Sequence, residues 1–235
     1  MTLGVSTVAA GYSCLGLQND IVDIILAVSM VMLSLTLIII EWKFTVSYRK
    51  AEHTRRDAFL DNALGSRMAN TKSEGYYDND NVGYGIRKIL SNLHESCVYS
   101  ARESEEMFKE SEKKLCVISG LMILVALINL FSTQFVVALA DIIISTDIIK
   151  DYLELKTLKG EMEAVEEECK QAWEHYHEDG SSADNKTIAM VLRAFVRYET
   201  ALAYASIMLD PAVFRKLRNQ IADEWEELQL RYQIR

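Results

Sequence analysis

Lysine and arginine are absent from residues 1–42 and again from residues 115–149. The 25 basic residues fall in two blocks, 43–114 and 150–235. A soluble domain spreads its charges along the chain, whereas a bilayer excludes them from its spans and collects them in the segments left on the cytoplasmic side. The segregation therefore predicts an all-α membrane protein with cytoplasmic helical domains and argues against a soluble enzyme. A mean hydropathy of +0.03 hides this by averaging. One proline, Pro211, and ten glycines supply little turn chemistry for a sandwich or a doubly wound sheet.

Val22–Ile40 carries one charge, Asp23, at its edge, and its nineteen residues reach about 28 Å as a helix, close to a hydrocarbon thickness. Glu41, Trp42 and Lys43 follow as an interfacial belt. Residues 115–149 would run about 52 Å as one straight helix, well beyond the bilayer core. Asn129, Ser132, Thr133 and Gln134 mark a turn, which divides the segment into two short spans, about 115–131 and 135–149; one long helix leaving the bilayer is the alternative. Lys43, Arg49, Lys50, Arg55 and Arg56 follow the first span, Lys109, Lys113 and Lys114 precede the second apolar segment, and Lys150, Lys156 and Lys159 follow it. A hairpin puts all three clusters inside, where such clusters belong. Leu3–Leu17 is too short to read firmly and is either a tilted or re-entrant fourth helix or an outside tail. The N-terminus has no basic region of the kind that opens a secretory signal, and a cleaved leader is not expected.

The expected organisation is thus three to four transmembrane helices with a cytoplasmic helical bundle: 1–41 as N-terminal membrane segments, 42–114 as a cytoplasmic helix-loop-helix, 115–149 as the transmembrane hairpin and 150–235 as a C-terminal cytoplasmic helical domain. Residues 42–66 continue the first span, 66–83 form a polar loop, and Ile86, Ile89, Leu90, Leu93, Cys97 and Ala101 recur at helical spacing. Leu155, Leu158, Met162, Val165, Cys169, Ala172 and Tyr176 alternate by three and four, a seam that serves equally well inside a bundle or between chains. Lys186–Leu209 reads as a further helix. Asp210 and Pro211 open the last one, with Phe214, Leu217, Ile221, Trp225, Leu228 and Tyr232 on its buried face.

Chemistry is sparse. No phosphate-binding loop, nucleophile elbow or metalloprotease motif occurs. His175 and His177 point to different helix faces, Glu166, Glu167 and Glu168 read as a solvated face, and Cys14, Cys97, Cys116 and Cys169 as free thiols. Neither catalytic residues, a metal site nor a cofactor is expected. The net charge of −9 excludes bulk DNA binding. Asp141 is the exception: a carboxylate within an apolar span costs about 2.5–3.5 kcal/mol unless it faces a polar lumen or the interface. With Asn129, Ser132, Thr133 and Gln134, and with Asp23 near the outer mouth, it fits the lining of a cation path formed by several subunits. A second constellation lies around the loop. Arg55 and Arg56 offer forked donors to phosphates, Tyr76 and Tyr77 offer stacking faces, and Arg87 and Lys88 add charge. Alternatively the two arginines pair with Asp57, Asp61 or Asp78 and tie the loop down.

A transmembrane helix followed by RRDAFLDNALG (55–65), then GYYDNDN (75–81), then NLHES (92–96) ahead of an apolar hairpin resembles the four-transmembrane (S-4TM) pore-forming effectors that accompany nucleotidyltransferases in bacterial anti-phage operons, the membrane effectors of Hailong-type operons among them. The resemblance spans roughly residues 20–150. It implies a homo-oligomeric channel of the bacterial inner membrane, a tetramer or larger, whose opening depolarises the cell under control of an oligonucleotide made by the partner enzyme. Arg55, Arg56, Asp61, Asn62, Gly65, Tyr76, Tyr77, Asn79 and Asn92 are the matching positions, as ligand contacts or as fold determinants. The chain departs from the pattern at its short first apolar segment and in its last 85 residues, which have no counterpart.

Overall fold

Long apolar and amphipathic runs separated by single short breaks leave a chain few options other than helices laid side by side. In a computed structural model, which describes residues 20–69, 79, 81–127, 147–178, 183–205 and 207–234, all the regular structure is helical. The helices are α1 (Asp20–Leu64), α2 (Ile86–Leu127), α3 (Asp147–Glu178), α4 (Asn185–Ala205) and α5 (Pro211–Arg231). The chain divides into two compact units, Met1–Asp57 and Ala58–Arg235.

The first unit holds most of α1. Its apolar stretch is long enough to cross a membrane, and none of it is buried within the chain. Ile24, Val31, Leu35, Ile39 and Trp42 all stand exposed. Thr36 turns its hydroxyl back to the Met32 carbonyl at 2.8 Å, satisfying itself inside the helix. Beyond the apolar run the helix becomes polar and pairs its charges one turn apart, His53 with Asp57 at 3.1 Å and Arg55 with Glu52 at 3.0 Å. Glu52 lies one turn back from Arg55, and the Asp61 carboxylate makes its bonds beyond the end of the helix.

Asp61 ends α1. The Gly65 N–H reaches the Asp61 carbonyl at 2.9 Å with Gly65 at φ +68°, the left-handed closure that glycine makes without strain. The Asp61 carboxylate then accepts from Ser66 Oγ at 2.6 Å and from the N–H groups of Met68 and Ala69 at 2.7 Å each. The Met68 bond, then those of Ser66 and Ala69, hold its carboxyl below the ordinary range. At the far side of the loop, the Gly85 N–H bonds the Ala63 carbonyl at 2.9 Å, so α2 starts against the end of α1.

The second unit is a helical bundle around one core. Phe59 and Ala63 enter it from the last turns of α1; Leu90, Leu93 and Cys97 from α2; Val191 and Tyr198 from α4; Ile221 and Trp225 from α5. From α3 come all seven seam residues, Leu155, Leu158, Met162, Val165, Cys169, Ala172 and Tyr176, each buried. The seam is therefore an intramolecular face, not a contact left for another chain. Helices α2 and α3 run antiparallel: Arg87 lies over the Tyr176 ring at 5.9 Å, the Cys97 thiol donates to the Met162 carbonyl at 3.1 Å, and the Phe108 and Tyr152 rings stand 5.2 Å apart. The end of α2 and the start of α3 thus lie at the same end of the bundle. Burial of α2 stops at Ser111. From there the helix continues unbroken past Lys113 and Lys114 to Leu127, with Val117, Leu121, Ile123 and Leu124 exposed.

Two expectations shift. The second helix of the C-terminal block ends at Ala205, earlier than Leu209, because Asp210 must cap α5: its side chain accepts from the Ala212 N–H at 2.7 Å, and Pro211 restricts the residue before it. On α5, Val213 is buried and Phe214 is exposed, because the packed face steps back by fours from Ile221 through Leu217 to Val213. The helix closes at Gln233 (φ +49°), which lets the Ile234 N–H reach the Gln229 carbonyl at 3.0 Å and buries Ile234.

Gly65→Ala should destabilise the protein by about 1 kcal/mol, the penalty of a side chain in left-handed backbone. The added Cβ would also stand 3.4 Å from the Tyr84 ring. Thermal unfolding of the detergent-solubilised protein measures it; an unchanged midpoint would show that this turn does not set the α1 end.

Candidate functional site

The run Asn92-Leu93-His94-Glu95 places polar side chains on adjoining faces of α2, and the helix buries them. A chain of side-chain amides crosses the bundle there. Asn92 Nδ2 donates to Asn62 Oδ1 at 2.8 Å, Asn79 Nδ2 donates to Asn92 Oδ1 at 3.0 Å and to Glu95 Oε2 at 2.6 Å, and Gln229 Nε2 donates to Asn79 Oδ1 at 3.3 Å. Asn79, Asn92 and Gln229 are buried. Four elements are joined by it: the end of α1, the loop before α2, α2 and α5. Buried amides are favourable only when their bonds are complete, so the network also specifies one arrangement of those elements.

Two turns further along α2, Arg102 bridges two acids from different helices. Its Nε lies 3.0 Å from Glu224 Oε2 on α5, Nη2 also bonds that carboxylate, and Nη1 stands 3.2 Å from Glu166 Oε2 on α3. The Glu224 bond chiefly raises the Arg102 pKa. Burial opposes the charge on Glu166, but its hydrogen bond from Lys170 at 2.6 Å and the charges of Arg102 and Lys170 outweigh that, leaving its carboxyl below the ordinary range. The acidic run is thus not a solvated face: Glu166 is buried, Glu168 pairs with Arg197 at 3.2 Å, and only Glu167 is exposed. A periodic reading could show only Lys170, four residues on; Arg102 and Arg197 come from other helices.

His94 lies between these two groups, fully buried, with no hydrogen-bond partner on either ring nitrogen. The Trp225 and Tyr232 rings of α5 meet it edge-on at 5.4 and 5.9 Å. Burial lowers its pKa from 6.5 to about 4, Glu166 working weakly the other way and Lys170 with it. Nothing here is an activated nucleophile: burial pushes the Cys97 and Cys169 thiols well above their usual values, so both stay protonated. Among the described residues no three His, Cys, Asp or Glu side chains are grouped to hold a metal ion.

The candidate ligand residues are distributed differently from the loop cluster expected of them. Arg87 Nη2 bonds the Gln233 carbonyl at 2.9 Å and so ties down the C-terminal turn. Lys88 is buried, its Nζ 5.1 Å from the centre of the Tyr84 ring. Arg55 and Arg56 are half-buried on the part of α1 that belongs to the first unit. Tyr76 and Tyr77 lie outside the described residues, as do Asn129, Ser132, Thr133, Gln134 and Asp141, and Asp23 is described only through the backbone of α1. Of the motif positions, Asp61, Asn62, Gly65, Asn79 and Asn92 act in the fold, as turn and network. Arg102, Glu224 and Gln229 were not singled out from sequence, His94 entered only within the NLHES run, and Glu166 only as part of a solvated face. The signal available was a buried helix face in α2 that alternates leucine with amide and imidazole.

The chain matches no family model, no curated protein and no solved structure.

Asn79→Ala leaves Asn92, Glu95 and Gln229 without their shared partner, and a loss of about 2–3 kcal/mol is expected in thermal or chaotrope unfolding. His94 sets an acid limit. The folded state holds it neutral down to about pH 4 while the unfolded chain takes up a proton near 6.5, so the unfolded state binds more protons in between. Its share of stability is intact above 6.5 and falls by about 1.4 kcal/mol per pH unit as pH drops towards 4. His94→Phe should remove that slope over the window; an unaltered pH profile would assign acid sensitivity to other groups.

Proposed function

We propose that this chain is a membrane effector of the bacterial inner membrane, a homo-oligomeric ion channel that depolarises the cell and is gated by an oligonucleotide signal from a partner nucleotidyltransferase. The observation that carries the membrane part is the division of single helices into two solvents. Helix α1 has an apolar, unburied stretch and ends with Phe59 and Ala63 in a polar-coated bundle; α2 is buried up to Ser111 and then exposes Val117, Leu121, Ile123 and Leu124. Exposed apolar surface of that extent in water would drive aggregation, whereas in lipid it is satisfied.

The antiparallel packing of α2 and α3 supports a hairpin between them. Lys109, Lys113 and Lys114 leave the bundle at the end where Lys150 and Lys156 return, the placement that the positive-inside rule asks of two short spans. The paired residues Arg87 with Tyr176, Cys97 with Met162 and Phe108 with Tyr152 share one register. Carried forward, that register closes at about Leu130, between the two halves of the apolar segment and at the polar turn Asn129–Gln134. On this reading Asp141 and the turn line the conduction path.

For the ligand, Arg87 and Lys88 are engaged within the fold, and Arg55, whose partner on its own helix is Glu52, Arg56, Tyr76 and Tyr77 are the contacts proposed for the phosphates and bases. A ligand gates only by binding the open and closed states unequally. The link available here is covalent: the arginines stand on the same helix whose last turns are fixed by Asn62 and Asp61. The rival reading, an anchored scaffold that docks a partner through the Leu155–Tyr176 seam, loses its docking surface, since that seam is filled by the chain's own helices.

Purified protein in proteoliposomes should conduct ions, with flux altered by one class of oligonucleotide. Asp141→Asn should change cation-over-anion selectivity severalfold or abolish flux without loss of expression. Unchanged conductance and selectivity would remove Asp141 from the path, and no flux from inserted, oligomeric protein would overturn the channel.

A further inference from the structure

A carboxyl group taken out of water without a counter-charge resists ionisation, and folds keep such groups few. Glu103 of α2 is one of them. It is 5% exposed, and among the described residues no hydrogen bond or ion pair reaches its carboxyl.

Its neighbours one turn away on α2 define its surroundings. The Tyr99 ring stands 6.0 Å from the Phe214 ring of α5, and Ser100 Oγ lies 3.2 Å from the Tyr198 hydroxyl of α4. Met107 Sδ accepts from the Asp210 N–H, just ahead of α5, at 3.4 Å. Helices α3 and α4 are antiparallel, with His175 3.6 Å from Asp184 and Arg197 2.7 Å from Glu161, so α4 runs parallel to α2. Three residues beyond the contact of Ser100 with Tyr198, Glu103 is therefore level with Ala201 and Leu202, both buried. It stands where α4, α5 and the corner between them close on α2. We propose that Glu103 is a proton-operated latch on that corner, which closes over the neutral carboxyl and loosens when the carboxyl ionises.

The charges on the helices packed around it are committed elsewhere. On α2 itself, Arg102 bridges Glu166 of α3 and Glu224 of α5, and Lys109 is paired with Glu105 at 2.9 Å. Lys216 of α5 is paired with Glu106 at 2.6 Å, and Lys159 of α3 lies 3.5 Å from Glu163. On α4, Arg197 is turned to Glu161 and Glu168 of α3. Glu199 of α4 and Asp210 are acids in their turn, and the Asp210 carboxylate caps the Ala212 N–H. Burial is the one influence on the Glu103 carboxyl, raising it from 4.5 to about 7. An ionised Glu103 is thus relieved by water and by nothing already in place.

The corner can admit that water while the core stays packed. Helix α4 packs mainly on α3 and α5 mainly on α2, so the corner joins two helices that are supported separately. Met208 is 60% exposed, Asp210 and Pro211 are exposed as well, and the bond to Met107 ends on sulfur, a weak acceptor. Opening of so lightly held a segment is a local event.

The direction follows from the protons. With the corner open the carboxyl returns to its ordinary value, so the closed form binds more protons between pH 4.5 and about 7. The ratio of open to closed is lowest below 4.5, rises about tenfold per pH unit up to about 7 and then levels. His94 acts with the opposite sign, its share of stability being lost as pH falls. The latch is a property of the helical bundle and stands apart from ion conduction.

The test uses the full chain in detergent micelles, with Cys14 and the exposed Cys116 replaced by serine; Cys97 and Cys169 are buried and protonated. A nitroxide on Met208→Cys reads the corner, and one on Glu167→Cys, exposed on α3, reads the rest of the bundle. The mobile share of the Met208→Cys spectrum should rise severalfold between pH 5 and pH 7 and level above, with the Glu167→Cys spectrum unchanged. Glu103→Gln, of the same shape and neutral throughout, should hold the corner in its pH 5 state up to pH 8. Glu103→Leu should do the same, so the result does not depend on how one amide is accommodated. A flat profile with Glu103 in place, a pH response that survives both substitutions, or an equal response at Glu167→Cys would overturn the latch.

Discussion

The antiparallel contact between α2 and α3 is the constraint on which the remaining structure hangs. Leu158, Met162, Val165 and Cys169 share one buried core with Leu90, Leu93 and Cys97, and the rest of the bundle is added to that pair. Helix α4 packs mainly on α3 and α5 mainly on α2, so each depends on the pair for its position. The same contact fixes where the chain leaves and returns. Because the helices run in opposite directions, the apolar end of α2 and the lysine-bearing start of α3 lie at one end of the bundle.

Helix α5 adds Ile221 and Trp225 to that core and is held by polar contacts as well. Arg102 reaches across to Glu224, Lys216 meets Glu106 at 2.6 Å, Gln229 joins the amide chain, and Arg87 holds the last turn through the Gln233 carbonyl. Each such contact is worth little in water but costs a good deal to leave half made once buried. A helix attached in this way has a defined position at modest stability. The two aromatic rings that α5 contributes cover His94, a group that the folded chain keeps neutral only by keeping water out.

Much of this was legible in the residues. The end of α1 follows from Asp61 and Gly65, the start of α5 from Asp210 and Pro211, and the buried face of α3 from seven positions that alternate by three and four. These are local matters of capping geometry and helical period, which neighbours in the chain decide. The acidic run at Glu166–Glu168 was misread for the converse reason. Beside the local partner Lys170, its partners Arg102 and Arg197 lie dozens of residues away, and no local pattern distinguishes an acid that meets solvent from one that meets an arginine on another helix. Phe214 was displaced for a similar cause, since Val213 and not its larger neighbour lies on the face that α5 turns to the bundle.

By itself, then, the sequence determined that the chain is helical, that charge is excluded from two stretches, and where most helices begin and end, because hydrophobic period and backbone capping act over a few residues. Tertiary structure alone decided that the seam of α3 is spent within the chain, that Asn62, Asn79, Asn92 and Gln229 form one network, and that α4 keeps a second apolar face outward. Those outcomes depend on which helix faces meet, and that choice is made by the summed burial of surfaces distant in the chain, a quantity no single segment carries.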